Sequence, residues 1–285
     1  MNKKESSFRT LKMAAWLSWQ IESNWTDPFL FAVYSIIKPI SAAFMIVIMY
    51  SIITQGDFNS PTFAFLFLGN ALYQYVPALL SGVSWSIIDD REHYRTLKYF
   101  FIAPISMTVF LFGRSLAKFL AATISVVITI IFGVIFFDLP IFPSQINWVL
   151  LLLAMILGII HMLFFGLLLA GVSLITVRHS YYIGEVVAAG LLVFTGALFP
   201  LDYLPGFLRG VGLSLPITYW LELMRRLLIG ETLQGFSLLA AYSTNDLLGI
   251  LIVTDLLFMA AGYLVFLKCS SIAQKKGLLD QTSEY

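Results

Sequence analysis

The sequence predicts an all-α integral membrane protein with six transmembrane helices. Three observations carry that expectation. Apolar residues make up 59% of the 285 residues and charged residues only 12%. A soluble domain carries about a quarter charged residues, so this chain could not cover its surface in water. The apolar residues also gather into runs close to the ~20 needed to cross the hydrocarbon core. Between those runs the basic residues alternate in density, as they do when loops alternate between the two sides of a bilayer. All the runs should be helices, because lipid offers backbone polar groups no outside partner.

The chain reads as one domain, residues 1–285. Its N-terminal arm, 1–28, places Phe8, Leu11, Ala15, Trp16 and Trp19 at helical spacing, with Arg9, Lys12 and Gln20 on other faces. Three of the six tryptophans fall between residues 16 and 25. Tryptophan prefers the headgroup level, so the arm is expected as an amphipathic helix along the membrane interface; the plainer alternative is an arm packed on its own bundle. Its start lacks the continuous apolar core and cleavage site of a signal peptide. Asp27-Pro28 turns the chain into the first span.

The six expected spans are 30–53, interrupted by Lys38-Pro39; 62–88, without formal charge; 115–137, with only Lys118; 148–177, with only His161; 182–199, short, with Glu185 near its start; and 247–267, with Asp255. The N-terminal arm, the loops after spans two and four, and the tail hold 12 of the 17 Lys and Arg. The loops after spans one and three hold none. Both termini are therefore expected in the cytoplasm of a multi-pass cell-membrane protein. Near-zero net charge argues against a nucleic-acid partner. The one cysteine, Cys269, excludes an intrachain disulfide and reads as a small apolar residue near a helix end. No internal repeat is visible.

Two stretches break the pattern. Residues 87–114, IIDDREHYRTLKYFFIAPISMTVFLFGR, leave the second span through acidic and basic residues and then carry a short apolar run, 97–102. Tyr99, Phe100, Phe101 and Ile102 together need cover from another protein, from lipid, or from their own bundle. Residues 195–230, TGALFPLDYLPGFLRGVGLSLPITYWLELMRRLLIG, contain Pro200, Pro205 and Pro216 together with Arg209, Arg225 and Arg226. The prolines forbid one continuous helix. Each apolar piece is also far too short to span.

These two stretches resemble the ABC-2 family of export permeases. The first offers Asp90-Arg91-Glu92, Thr96-Leu97, Pro104-Ile105-Ser106 and Gly113-Arg114; it departs at Arg95, where the family has glycine, so the backbone there is expected to stay helical. The second offers Gly196, Phe199-Pro200, Leu204-Pro205, Pro216-Ile217-Thr218-Tyr219 and Arg225. The resemblance implies a cytoplasmic coupling helix within 89–107 that grips an ATPase subunit through Asp90, Arg91, Glu92, Arg95, Thr96, Leu97, Lys98, Phe101, Pro104 and Ser106. It implies a re-entrant helical hairpin over 200–226, a gate built from Phe199, Pro200, Leu204, Pro205, Pro216, Tyr219 and Arg225. Arg225 and Arg226 are then expected on an amphipathic piece at the outer interface, near lipid phosphates or Glu222. An ordinary outer loop with one surface helix is the alternative. The resemblance further implies a second permease copy, or a related one, and ATP with Mg on the partner ATPase rather than on this chain.

No Gly-x-x-x-x-Gly-Lys-Ser/Thr loop occurs, so nothing here cradles ATP phosphates. His-Glu-x-x-His, Cys/His clusters and nucleophile elbows are also missing. Neither a metal site nor an enzyme is expected. Within the spans, Asn70 and Gln74 form a polar stripe, and His161 and Asp255 lie near the middle of theirs. These four are candidate pathway residues, or internal structural pairs. The competing function is a self-contained secondary transporter or channel working through Asp255, Glu185 and His161. An intramembrane enzyme would need a convergent catalytic set, which is not visible.

Overall fold

A computed structural model describes residues 3–24, 28–58, 60–103, 105–177, 182–230 and 238–281. The described residues form helices and turns without strands. Five helical stretches are long and apolar enough to cross a membrane, within Ser35–Thr54, Pro61–His93, Met107–Phe137, Trp148–Ile175 and Thr244–Lys275; a shorter apolar helix is Ile183–Phe194.

Helix α1, Lys3–Asn24, packs on α6, Met107–Phe137. Ala14 and Ser18 are buried there, and a side chain at Gly113 would collide with Ala14. Lys118 pairs with Glu22 across the same seam. The expected apolar stripe is therefore divided. Leu11 and Ala15 turn partly inward, while Phe8, Met13, Trp16 and Leu17 remain exposed. The arm is packed on the bundle and still presents an apolar face.

Helix α2, Pro28–Thr54, runs without a break through Pro39, against the expected interruption. A helix interior tolerates proline when its surroundings hold the backbone. Here Pro39 itself is buried. The expected second span is two helices in line, α3, Pro61–Tyr73, and α4, Tyr75–Ile88, joined at Gln74. Ser60 caps α3 by accepting from the Thr62 amide at 3.1 Å, with Pro61 at the first helical position. Helix α4 is the centre of the molecule, with α6, α7 (Trp148–Ile175) and α8 (Ile183–Phe194) around it. Small residues permit that density: side chains added at Gly82, Gly166 and Gly184 would press on Lys118, Val83 and Ser81.

The expected fifth span is helical for only 12 residues, about 18 Å at 1.5 Å per residue. The chain leaves the helix at Thr195, and Gly196 takes φ +70°. Two short helices follow, α9, Gly206–Leu213, and α10, Pro216–Ile229. Helix α11, Thr244–Lys275, lies along α7 and opens with a capping box between Ser243 and Asp246. Helix α5, Leu97–Ile102, packs at the end of the bundle between the end of α4 and the start of α6.

Candidate functional site

Two polar assemblies occupy opposite ends of the α4 column. At the α5 end, α4 passes into a π-helical turn, Asp89–His93, in which the Tyr94 amide donates to the Asp89 carbonyl at 2.9 Å. The wider turn points Asp90 and Arg91 into the protein, each 2% exposed. Arg114 of α6 donates to Asp90 at 2.8 Å and lies 3.7 Å from Asp89. Arg91 donates to the Ser173 carbonyl of α7 at 2.9 Å and to Glu92 at 3.1 Å. Ser84 and Ser173 share a further bond of 2.9 Å. One acidic-basic cluster thus ties the ends of α4, α6 and α7. Charges buried this deeply are tolerated only when paired and hydrogen-bonded.

This revises the expected contact set. Asp90, Arg91 and Glu92 do not form an outward-facing grip; they fix the base from which the turn at Arg95 and helix α5 extend. Arg95 takes φ +53°, so the backbone is not helical there. It adopts the left-handed conformation for which glycine is the usual residue. That reversal lets the Thr96 amide donate to the Asp90 carbonyl at 2.7 Å and starts α5 at Leu97. Leu97 is core, 1% exposed, and Phe101 is half-buried. Phe100 lies 4.2 Å from Phe110, ring to ring. Lys98 reaches Asp280 at 3.2 Å. Pro104 lies outside the described residues, and Ser106 is exposed before α6. The outward face of α5 is instead Tyr99 at 60% and Ile102 at 79% exposure. Sequence reasoning noted both as apolar but did not separate the helix's two faces.

At the other end, the break after α8 is filled by Arg225. Its Nη2 donates to the Gly196 carbonyl at 2.7 Å and the Ala197 carbonyl at 3.2 Å. The guanidinium lies 3.7 Å from the Phe65 ring centre and 3.8 Å from Glu222. Arg226 donates to Glu222 at 3.0 Å and to the Leu239 and Tyr242 carbonyls at 2.6 Å each. Both arginines are buried, as is all of Pro216–Arg226. Of the two expected partners, Glu222 is therefore the one both arginines meet, and the expected exposed position at an interface is corrected to a buried one at α10. For Arg225 the reason is the broken backbone itself: carbonyls freed by a helix break inside an apolar bundle need donors, and its guanidinium supplies them. Gly69 of α3 sits so close to this contact that a side chain there would collide with Ala197 and Arg225.

The hairpin turn between α9 and α10 is closed by Thr218, donating to Gly212 at 2.7 Å, and Tyr219, donating to Leu213 at 2.6 Å. Pro200, Leu204 and Pro216 are buried and Phe199 partly so, whereas Pro205 is exposed. The outward lip is Tyr203 and Phe207, the latter 82% exposed. Asp202 accepts from the Leu238 amide at 2.9 Å. The Glu222, Arg225, Arg226 trio has the i, i+3, i+4 spacing that a helical reading can find. Gly69 and Phe65 carried no such signal.

The candidate pathway residues do not converge on one site. Gln74 donates to Thr129 at 3.1 Å across α6, while the Asn70 amide nitrogen has no partner among the described residues. His161 and Asp255 face one another across α7 and α11 at 3.4 Å, 0% and 2% exposed in their side chains. Glu185 is exposed on α8, apart from that enclosed pair in environment.

No curated protein matched the chain. The family model described as ABC-2 type transporter matches residues 11–229, a span that takes in α5, the broken fifth helix and the α9–α10 turn, and the chain belongs to that family.

Proposed function

We propose that the chain is the membrane subunit of an ATP-driven exporter, with ATP hydrolysed by separate ATPase subunits that dock on α5. Membership of a transporter family and the missing phosphate-binding loop support a separate energy source. The observation that carries the reading is α5: a six-residue helix held at the bundle end with Tyr99 and Ile102 turned outward beside Arg95 and Lys98. An exposed aromatic-aliphatic pair rimmed by charge is the composition of a protein interface centre. The 12 basic residues of the arm, the two loops and the tail support a cytoplasmic position for this end, in the cell membrane. The opposite end then faces outward. There the α9–α10 hairpin enters the outer leaflet and returns, with Tyr203 and Phe207 on its lip. Two copies, or this chain with a related one, would flank a pathway for an amphipathic, lipid, drug or glycan-type cargo.

The test is association. Replacing Tyr99 and Ile102 together by Asp should remove co-purification of the ATPase while the melting temperature of the permease stays unchanged. Undiminished co-purification would sink the reading. Leu97 is unsuitable for this purpose, because a charge at a core position reports folding rather than docking.

The enclosed His161–Asp255 pair favours a second reading, a secondary transporter driven by a proton or another cation. Ion-driven flux from the purified chain without any ATPase would establish it.

A further inference from the structure

We propose that residues 277–281, beyond the span shared with the family, are part of the coupling surface: they hold α5 in the position from which it docks. The proposal rests on the reading of α5 as the coupling helix. A six-residue helix is far below the length at which a helix is stable alone. Thr96 gives it no side-chain cap. Its position must come from tertiary contacts. Leu97 anchors one side in the core and Phe100 lies against the Phe110 ring. The remaining support is the C-terminal segment. Gly277 takes φ +63° and turns the chain out of α11. Leu278 and Leu279 then pack into the same apolar cluster as Leu97, Phe100, Phe101 and Ala273. Asp280 meets Lys98 at 3.2 Å.

Two kinds of contact are present, and their weights differ. The Lys98–Asp280 pair is well exposed on both sides, and such pairs contribute little. The leucines remove apolar surface from water and carry the attachment. The tail also extends the outward face: Asp280 and Gln281 are exposed beside the helix that presents Tyr99 and Ile102. The ATPase would therefore meet one composite surface made from residues 97–102 and residues 277–281.

The experiment uses the full-length permease and its ATPase. One variant stops after Lys276; a second carries Leu278→Ala and Leu279→Ala. Both should weaken ATPase affinity by about tenfold or more, with the melting temperature of the permease unchanged. In the permease alone, amide hydrogen exchange of residues 97–103 should quicken by about tenfold or more in both. Asp280→Lys should alter affinity by less than about twofold. Unchanged exchange in the truncated chain overturns the proposal and leaves the docking reading standing. Quickened exchange with full affinity overturns it as well. If the Tyr99→Asp, Ile102→Asp chain still binds the ATPase, the docking reading itself falls, and this inference falls with it.

Discussion

Replacing Arg225 by Leu tests the central claim about the broken fifth helix. The side chain is 2% exposed and its Nη2 serves two carbonyls that have left the α8 ladder. Leaving a buried acceptor unsatisfied costs about 1–3 kcal/mol, so the two carbonyls account for roughly 2–6 kcal/mol. The contact with Phe65 at 3.7 Å adds about 0.5–2 kcal/mol. Glu222 keeps Arg226 at 3.0 Å as a partner, so its loss of Arg225 is the smaller effect. The total is roughly 3–8 kcal/mol. At about 2–4 °C per kcal/mol for chains of a few hundred residues, the melting temperature should fall by more than about 6 °C. Arg225→Lys should fall too, because a single ammonium does not reproduce the planar fork. A cysteine at Ala197, which is fully buried, in the Cys269→Ala background should become reactive to maleimide only when Arg225 is removed. Gly69→Ala should act in the same direction by pushing Ala197 and Arg225 apart. If Arg225→Leu melts as the parent does and Ala197→Cys stays protected, the break is held by something else and the reasoning fails.

Arg114→Gln should be strongly destabilising, by about 3–5 kcal/mol, because it strands a buried Asp90; Asp90→Asn in the same chain should recover part of the loss, and thermal unfolding of the two variants and the double variant measures it. Asp202→Cys and Lys276→Cys, each in the Cys269→Ala background, should separate by side. In intact cells an impermeant maleimide should label the first and not the second, and labelling of both or of neither contradicts the proposed topology.

Much of this architecture was legible in the sequence because the bilayer imposes simple rules. Span lengths follow from hydrocarbon thickness, and four of the six runs appear as single long helices: α2 and α7 lie close to their expected bounds, while α6 starts eight residues earlier and α11 ends eight residues later than expected. The short α5 followed from the apolar run 97–102, and the hairpin from prolines at 200, 205 and 216. What could not be read was direction. Periodicity gives the spacing of Leu97, Tyr99 and Ile102 but not which face meets the core, since that depends on Phe110 and Leu278 from elsewhere in the chain. Charge misled for a related reason. Arg225 and Arg226 look like interfacial residues until the carbonyls of Gly196, Ala197, Leu239 and Tyr242 are placed beside them. Arg95 shows the limit of residue preference, since a local backbone that needs a left-handed residue took one without glycine.

The in-line pair α3 and α4 has a mechanical meaning. Counted through the π-helical turn, it is one rod of 33 residues from Pro61 to His93. It is joined at Gln74, whose side chain is tied to Thr129 of α6. From Gln74 to His93 the arm is about 28 Å, and from Gln74 back to Gly69 about 7–8 Å. A tilt of about 5° with Gln74 as fulcrum would move the α5 end by about 2.5 Å and Gly69 by under about 1 Å. The arms are unequal, so under the proposed docking at α5 a wide, weak stroke there would become a short, forceful one. It would be delivered where Gly69 lies close against Ala197 and Arg225 at the break after α8.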